Sequence, residues 1–190
     1  MGDINTIRDD IAQNMKALRM GGFVPGIGEG YAPLQEARLL VIGQDPGHSG
    51  AERSGVLSFD NEDRSADRLV EIFKEIDLDW GITYPWNTVP WTQMGTKAHD
   101  LPLVRQWEII PTLLGEMKGL RAVVLMGKAY AWELKTDIED YNNAHKKKIE
   151  VLTTPHPGRR GLKPKWGLAH QELVDWLRSD LKRAKEITLA

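Results

Sequence analysis

The chain has 190 residues, 25 basic and 27 acidic side chains, a formal net charge of −2, and no cysteine. Without cysteine it cannot contain a disulfide framework, a thiolate nucleophile, a zinc finger or a cysteine-ligated iron–sulfur cluster. Its length suits a single domain over residues 1–190, with a core that needs no covalent staple. It has neither the roughly 18 apolar residues of a membrane span nor the apolar core of a signal peptide, which predicts a cytoplasmic protein. The net charge neither favours nor excludes a nucleic-acid partner.

The first part of the chain predicts a helix, an irregular connection and a buried strand. Residues 4–19 carry apolar side chains at steps of three and four residues, the spacing of an amphipathic helix: Ile4, Ile7, Ile11, Met15 and Leu18. Gly21 and Gly22 end this helix, and the glycine- and proline-rich residues 21–35 form an irregular connection. The apolar run that ends at Ile42 predicts a strand over residues 38–42, buried on both faces.

The middle of the chain predicts two helices around an aromatic segment. Asp63 or Ser65 can cap a helix with one apolar face, formed by Leu69, Ile72, Phe73 and Ile76. Residues 80–95 hold three tryptophans and two prolines, which favours a compact aromatic loop or a short strand with a turn. An amphipathic helix follows over Leu103, Trp107, Ile110, Leu114 and Met117, and Pro111 is expected to kink it or delay its start.

The last part of the chain alternates strands and helices. Residues 122–126 predict a second buried strand, residues 128–134 a helix, and residues 149–153 a third strand. A final helix is marked by Leu173, Val174, Leu177 and Leu181. This alternation predicts an α/β fold: a three-layer α/β/α sandwich with a short, mostly parallel central sheet.

Three polar side chains lie where a functional site would be expected. Asp45 follows the strand that ends at Ile42, and His156 follows the strand over residues 149–153. Because parallel strands end at one edge of their sheet, Asp45 and His156 are expected at the same edge, and Asn87 is a third candidate. Each also has a purely structural interpretation, Asp45 as a turn or capping residue and His156 as a loop histidine.

Other site types fit the residues less well. Asp45, His48 and His156 are possible metal ligands, but the chain has no closely spaced histidine pair. The pair Gly127-Lys128 lacks the remaining residues of a phosphate-binding loop, and the chain has no G-x-S-x-G nucleophile elbow.

Aromatic and basic residues each allow two interpretations. The seven tryptophans are assigned mostly to the core, although Trp86 and Trp91 flank Asn87 and are candidates for pocket walls. The loop after His156 is rich in cations, namely Arg159, Arg160, Lys163 and Lys165. This loop is either a solvated surface or, as its position favours, a contact for phosphate groups.

Three motifs, in chain order, resemble those of the uracil-DNA glycosylase superfamily. Gly43-Gln44-Asp45-Pro46 matches the start of the motif G-Q-D-P-Y-H, and His48 falls at the histidine of that motif. Asn87-Thr88-Val89 resembles the family's N-T-V segment, and residues 151–157 resemble the strand and H-P-S loop that carry the family's histidine. The motifs span roughly residues 38–165, so the resemblance covers most of the chain.

The resemblance implies metal-independent hydrolysis of the bond between uracil and deoxyribose in DNA, without a cofactor. Asp45 would position the attacking water and stabilise the positive charge that develops on the sugar. His156, as a neutral donor, would hydrogen-bond the departing uracil anion. The amide of Asn87 would distinguish uracil from cytosine through its donor and acceptor atoms. Phe59 resembles the family's stacking phenylalanine, against which the extruded base would lie.

The same resemblance assigns base recognition to Gln44, Gly47 and His48, and DNA contact to the basic loop from Gly158 onwards. It implies a monomer that acts on single- or double-stranded DNA and needs no membrane. Gly47 stands where the family has a tyrosine that blocks the methyl group of thymine, so rejection of thymine stays open. Gly158-Arg159-Arg160 replaces the residues of the wedge loop and supplies no apolar wedge.

Other functions stay open at this point. One alternative is a glycosylase for another damaged or mismatched base, which the small Gly47 permits. A second alternative is a glycosylase-fold protein that binds DNA without cleaving it. A small-molecule enzyme unrelated to DNA would show no salt-dependent binding of DNA.

Overall fold

Four parallel strands form the central sheet of the structure, a computed structural model that describes residues 22–92, 106–127, 131–164 and 167–190, together with Asp9 and Gln13. Asp9 and Gln13 are helical, and the rest of the helix predicted over residues 4–19 lies outside the described residues, as does Lys165 of the basic loop.

The strands are β1 (Gly26–Ile27), β2 (Leu39–Gly43), β3 (Val56–Leu57), β4 (Thr83–Asn87), β5 (Ala122–Met126) and β6 (Glu150–Thr154). The central sheet has the order β4-β2-β5-β6, and every neighbouring pair is parallel. The three strands predicted from apolar runs are confirmed to within one residue, and β4 shows that the aromatic segment contains a strand. The two-residue strands β1 and β3, which pair with each other in parallel, were not predicted.

Helices connect the strands: α1 (Ala51–Ser54), α2 (Arg64–Glu75), α3 (Gln106–Glu116), α4 (Ala131–His145) and α5 (His170–Leu189). The Asp63 carboxylate caps α2, because it accepts hydrogen bonds from the backbone N–H groups of Ser65 and Ala66. In the described parts of the chain, none of these helices is both long and apolar enough to span a membrane.

One predicted helix differs from the structure in extent, and another contains a proline. α4 continues to residue 145, well beyond the predicted end at residue 134, and its buried side chains are Leu134 and Ile138 alone. Most of α4 faces solvent, so its sequence lacks the regular apolar spacing that would have predicted its full length. α3 runs through Pro111 without ending there.

Each face of the sheet packs against its own pair of helices. Leu40 and Ile42 of β2 belong to a core formed with α3 and α4, and Leu39 and Val41 belong to a core formed with α2 and α5. Alternate residues of a strand point to opposite faces, so this apolar run is buried on both sides. The result is the predicted three-layer α/β/α sandwich.

Hydrogen bonds tie the carboxyl ends of β2 and β4 together. The backbone N–H and the Oγ1 hydroxyl of Thr88 both donate to the carbonyl oxygen of Gly43, at 2.9 and 3.2 Å. The N–H of Val89 donates to the carbonyl oxygen of Gln44 at 2.8 Å. These bonds hold the segment after β4 beside the loop after β2, which carries Asp45.

Candidate active site

A pocket of about 130 Å³ opens at the carboxyl edge of the sheet, where β2 and β4 end and the loop after β6 begins. We call it the central pocket. Its lining includes five of the site residues predicted from the sequence, which are Asp45, Gly47, Phe59, Asn87 and His156. Residues that come from four separate stretches of the chain therefore converge on one cavity, as expected for the carboxyl ends of parallel strands.

Asp45 lies in the loop after β2 and keeps part of its side chain exposed to solvent. The pocket walls nevertheless remove water from its carboxyl group, and this desolvation raises the pKa of Asp45 above its ordinary value. Among the described residues, neither a cation nor a second carboxylate contributes to this shift. A partly dehydrated carboxylate interacts more strongly with a positive charge that forms next to it.

The backbone around His156 determines which ring nitrogen carries the proton. The N–H of Gly158 donates to Nδ1 of His156 at 3.0 Å, so Nδ1 acts as an acceptor. In the neutral ring the proton is then on Nε2, which makes Nε2 a hydrogen-bond donor. A Cβ atom on Gly161 would overlap the carbonyl oxygen and Cβ of His156, so glycine at this position lets the loop close around the histidine.

Asn87, the last residue of β4, is 6% exposed and lies directly across from Gly43 of β2. A Cβ atom on Gly43 would come within 2.6 Å of the Asn87 Oδ1 atom. Only glycine at position 43 leaves room for the amide in this position. An amide held in this way presents one donor and one acceptor group in a fixed orientation.

Phe59 forms an apolar wall of the central pocket and is itself 6% exposed. Its ring makes edge-to-face contacts with Tyr31, Phe73 and Trp80, at centroid distances of 5.3, 5.0 and 5.9 Å. The backbone N–H of Phe59 donates to the hydroxyl oxygen of Tyr31, and burial raises the pKa of Tyr31 to about 12. Phe59 is therefore fixed from behind by a rigid aromatic cluster.

Other predicted site residues lie outside the central pocket. The side chain of His48 is 92% exposed, and its Nδ1 atom lies 2.6 Å from Oε2 of Glu52 on α1. Arg159 and Lys163 are exposed on the turn after His156, whereas Gly158 packs against His156 as described above. Gln44 points to a second, larger cavity beside the central pocket.

This second cavity, which we call the aromatic groove, has a volume of about 780 Å³. Asp45 and His156 line both cavities, so the groove and the central pocket share a wall. The groove is also lined by Gln44 and Arg160 and, from two helices, by Trp132, Lys135 and Trp176.

Two tryptophans of the groove are exceptions to the prediction that the tryptophans lie mostly in the core, whereas Trp80 packs against the core as predicted. Trp132 is 78% exposed and Trp176 38% exposed, whereas Trp86 and Trp91 are buried. On α4, Trp132 does not share the helix face that carries the buried Leu134 and Ile138. On α5, Trp176 precedes the buried Leu177 and lies on the outer side of the helix. The helical spacing of the buried residues is the signal that would have placed both indoles at the surface.

Sequence reasoning also missed polar residues on the far wall of the central pocket. Asn61, Asp63 and Ser65 line it, and the Asn61 side chain is held by a hydrogen bond from Nδ2 to the carbonyl oxygen of Val56 at 3.0 Å. Within the described ranges, no three or more histidine, aspartate or glutamate side chains are grouped so as to hold a metal ion.

Most of the chain matches the sequence pattern of a known protein family. The sequence pattern of the uracil DNA glycosylase superfamily matches residues 29–178. The chain belongs to the uracil DNA glycosylase superfamily. The resemblance drawn from the three motifs is thereby confirmed.

One relative resembles the chain in sequence, and one solved structure resembles it in fold. It is 33% identical to a uracil-DNA glycosylase from Halalkalibacterium halodurans, in a match that covers 67% of this chain and 62% of the relative. The chain thus spans less than two thirds of the length of that relative. The crystal structure of wild-type Pedobacter heparinus SMUG2 has the same fold, with a TM-score of 0.54 at 14% identity, over 95% of this chain and 98% of that one.

Proposed function

We propose that the protein is a monofunctional DNA glycosylase that hydrolyses the N-glycosidic bond of uracil in DNA, the first step of base-excision repair. The observation that carries this proposal is the convergence of Asp45, Asn87 and His156 on the central pocket. Membership of the superfamily and the similarity to a protein named uracil-DNA glycosylase support it. The proposal includes the cytoplasmic location, the monomeric state and the lack of a cofactor that the sequence predicts.

In the proposed reaction, the bond between C1′ of deoxyribose and N1 of uracil breaks, and its electron pair leaves with the base. The sugar becomes cationic, and the Asp45 carboxylate stabilises it and orients the attacking water. The water oxygen bonds to C1′, and the proton that the water loses is taken up in the end by the uracil anion, which leaves as neutral uracil. The Nε2–H of His156 donates to the O2 atom of uracil while that atom is negatively charged. The hydrogen bond from Gly158 to Nδ1 supports this role, because it holds the neutral ring in the donor form.

Selection of the base rests on Asn87 and Phe59. The central pocket, at about 130 Å³, holds roughly four water volumes, which suits one pyrimidine ring and excludes a whole nucleotide. The base must therefore leave the DNA stack and enter alone. Asn87 offers both a donor and an acceptor, which complement O4 and N3–H of uracil, and Phe59 offers an apolar face for stacking.

A second candidate function follows from the space next to Gly47. Among the described residues, a Cβ atom at this position would meet only the backbone nitrogen of Gly50, at 4.0 Å. The pocket thus has room on this side for a substituent on the base. This favours a glycosylase that also accepts thymine or another modified pyrimidine.

The test is strand cleavage by alkali of labelled oligonucleotides that carry one uracil in a single strand, one U:G pair or one T:G pair. Wild-type protein, with excess chelator present, is expected to cut both uracil substrates. The Asp45→Asn variant should lower the rate of base release by roughly 10²- to 10⁴-fold, the contribution typical of a positioned acid–base group. Asp140→Asn, which alters an exposed carboxylate on α4, is the matched control and should retain the wild-type rate.

The outcomes separate the candidate functions. Cleavage of the T:G substrate at a rate near that of U:G would favour the broader specificity. A protein that binds these oligonucleotides but releases no base from any of them would overturn the proposed reaction and favour a DNA-binding role. A rate that Asp45→Asn leaves unchanged would refute the mechanism.

A further inference from the structure

The aromatic groove contains an exposed tryptophan side chain that takes no part in the core of the protein. The indole of Trp132 is 78% exposed on α4, and the indole of Trp176 on α5 lines the same groove. Exposed tryptophans that line a concavity mark binding surfaces, because their rings supply apolar area at a small cost in side-chain entropy. Every nucleobase has a flat face that can stack on such a ring.

Two cations accompany the indoles in the groove. Arg160 is exposed and makes no hydrogen bond or ion pair to another residue in the described part of the chain. The Lys135 ammonium lies 3.8 Å from Glu139 Oε1, and the two side chains are 43% and 56% exposed. An exposed ion pair of this kind is weak, so a phosphate can replace the carboxylate. On the far side, the Trp176 Nε1–H donates to Asp180, so one edge of that indole is already engaged.

The groove is continuous with the central pocket and much larger. The two share Asp45 and His156, so a DNA strand with one base in the pocket has its next nucleotide beside this wall. At about 780 Å³, compared with about 130 Å³ for the pocket, the groove has room for a whole nucleotide with its phosphate.

We propose that the aromatic groove binds the nucleotide next to the extruded one on the same strand. Trp132 stacks on its base, and Lys135 and Arg160 contact its phosphates. This inference rests on the proposed function, since it takes the extruded base to lie in the central pocket. According to this inference, the substrate needs at least one flanking nucleotide. That nucleotide stacks outside the duplex and is bound whichever base it carries.

The first experiment measures KM and kcat for short single-stranded oligonucleotides that carry one uracil and a growing number of nucleotides on its 5′ or 3′ side. For wild-type protein, nucleotides added on one of the two sides are expected to lower KM. Trp132→Ala should raise KM for the longer substrates about tenfold, within the range measured for one base–aromatic stack, and change kcat less than twofold. Trp132→Phe should have a KM close to the wild-type value, because a phenyl ring also stacks on a base.

Two controls separate this effect from general changes in the surface. Asn143→Ala changes an exposed residue near the other end of α4 and should leave KM unchanged. Lys147→Ala removes an exposed cation next to α4, at the amino edge of the sheet, and should also have no effect, whereas Lys135→Ala should raise KM. If Trp132→Ala shows the wild-type dependence of KM on flanking length, the proposal is refuted. It is also refuted if Lys147→Ala raises KM as much as Lys135→Ala does.

A binding measurement keeps this proposal distinguishable from the proposed catalytic function. An undamaged single-stranded oligonucleotide is expected to quench the tryptophan fluorescence of the wild-type protein. Trp132→Ala should bind it about tenfold more weakly, and Trp132→Phe should bind it nearly normally with less quenching. This result would support the groove even if no substrate lost its base. Cleavage without any contribution of Trp132 to binding would support the catalytic function and overturn the groove.

Discussion

At the scale of single residues, the central pocket combines a carboxyl group and an amide in unlike environments. Asp45 is partly exposed and loses hydration to the pocket walls, whereas Asn87 is buried beside Gly43. The raised pKa of Asp45 means that folding disfavours its charged form. The carboxylate that the proposed reaction needs is therefore held in the pocket at a cost in stability.

We expect Asp45→Asn to stabilise the fold while it removes activity. Because the pKa of Asp45 is higher in the folded state than its ordinary value of 3.8, the charged form destabilises the protein at high pH. The gain from Asp45→Asn should be absent at pH values below 3.8, where the carboxyl group is protonated in both states. It should grow as the pH rises towards the raised pKa and then stay constant. Melting temperatures of both proteins as a function of pH test this, and a difference that does not change with pH would contradict it.

At the scale of elements, the loop after β6 is built around His156. Gly158 donates its N–H to the ring, and Gly161 allows the loop to close over the histidine backbone. The position of Nε2 thus depends on two glycines of the same loop. This loop also continues into Arg160, so one short segment serves both the central pocket and the aromatic groove.

Gly161→Ala is expected to lower kcat/KM for uracil release, since the new methyl group would displace His156. The expected loss is about a hundredfold, because a shift of about 1 Å in a positioning group lowers the rate by about that factor. Gly115→Ala on α3 is the control, because its methyl group meets nothing closer than Tyr141 Oη at 3.9 Å. It should keep wild-type activity and change stability by at most about 1 kcal/mol. Equal losses in the two variants would argue against a role of the loop in positioning His156.

At the scale of the whole molecule, cations collect at opposite edges of the sheet despite the net charge of −2. Lys135 and Arg160 line the aromatic groove at the carboxyl edge. A separate cavity of about 500 Å³ at the amino edge is lined by six basic side chains, namely Arg38, Lys118, Arg121, Lys146, Lys147 and Lys148. Only the first set lies beside the central pocket, so the two sets are expected to differ in their effect on DNA binding.

The salt dependence of DNA binding tests this difference. For single-stranded DNA, each phosphate contact contributes about −0.7 to the slope of log binding constant against log salt concentration. Arg160→Ala should therefore make the slope less negative by about 0.7, and Lys147→Ala should leave it unchanged. Fluorescence anisotropy titrations at several salt concentrations provide the slopes. A change with Lys147→Ala as large as that with Arg160→Ala would mean that DNA also contacts the amino edge.

The sequence by itself determined the layers of the fold and several of the residues that line the central pocket. Continuous apolar runs marked three of the four strands of the central sheet, and the motifs near strand ends identified Asp45, Asn87 and His156 as candidates. These features could be predicted because strand burial and loop position depend on neighbouring residues and on the common direction of parallel strands.

Only the tertiary structure decided where the remaining side chains point. It placed His48 in solvent, seated Asn87 against Gly43, and turned Trp132 outward into the aromatic groove. Each outcome depends on packing between segments that are distant in the chain, or on which face of a helix the sheet covers. A motif does not encode that information, because the same residue types satisfy it in either orientation.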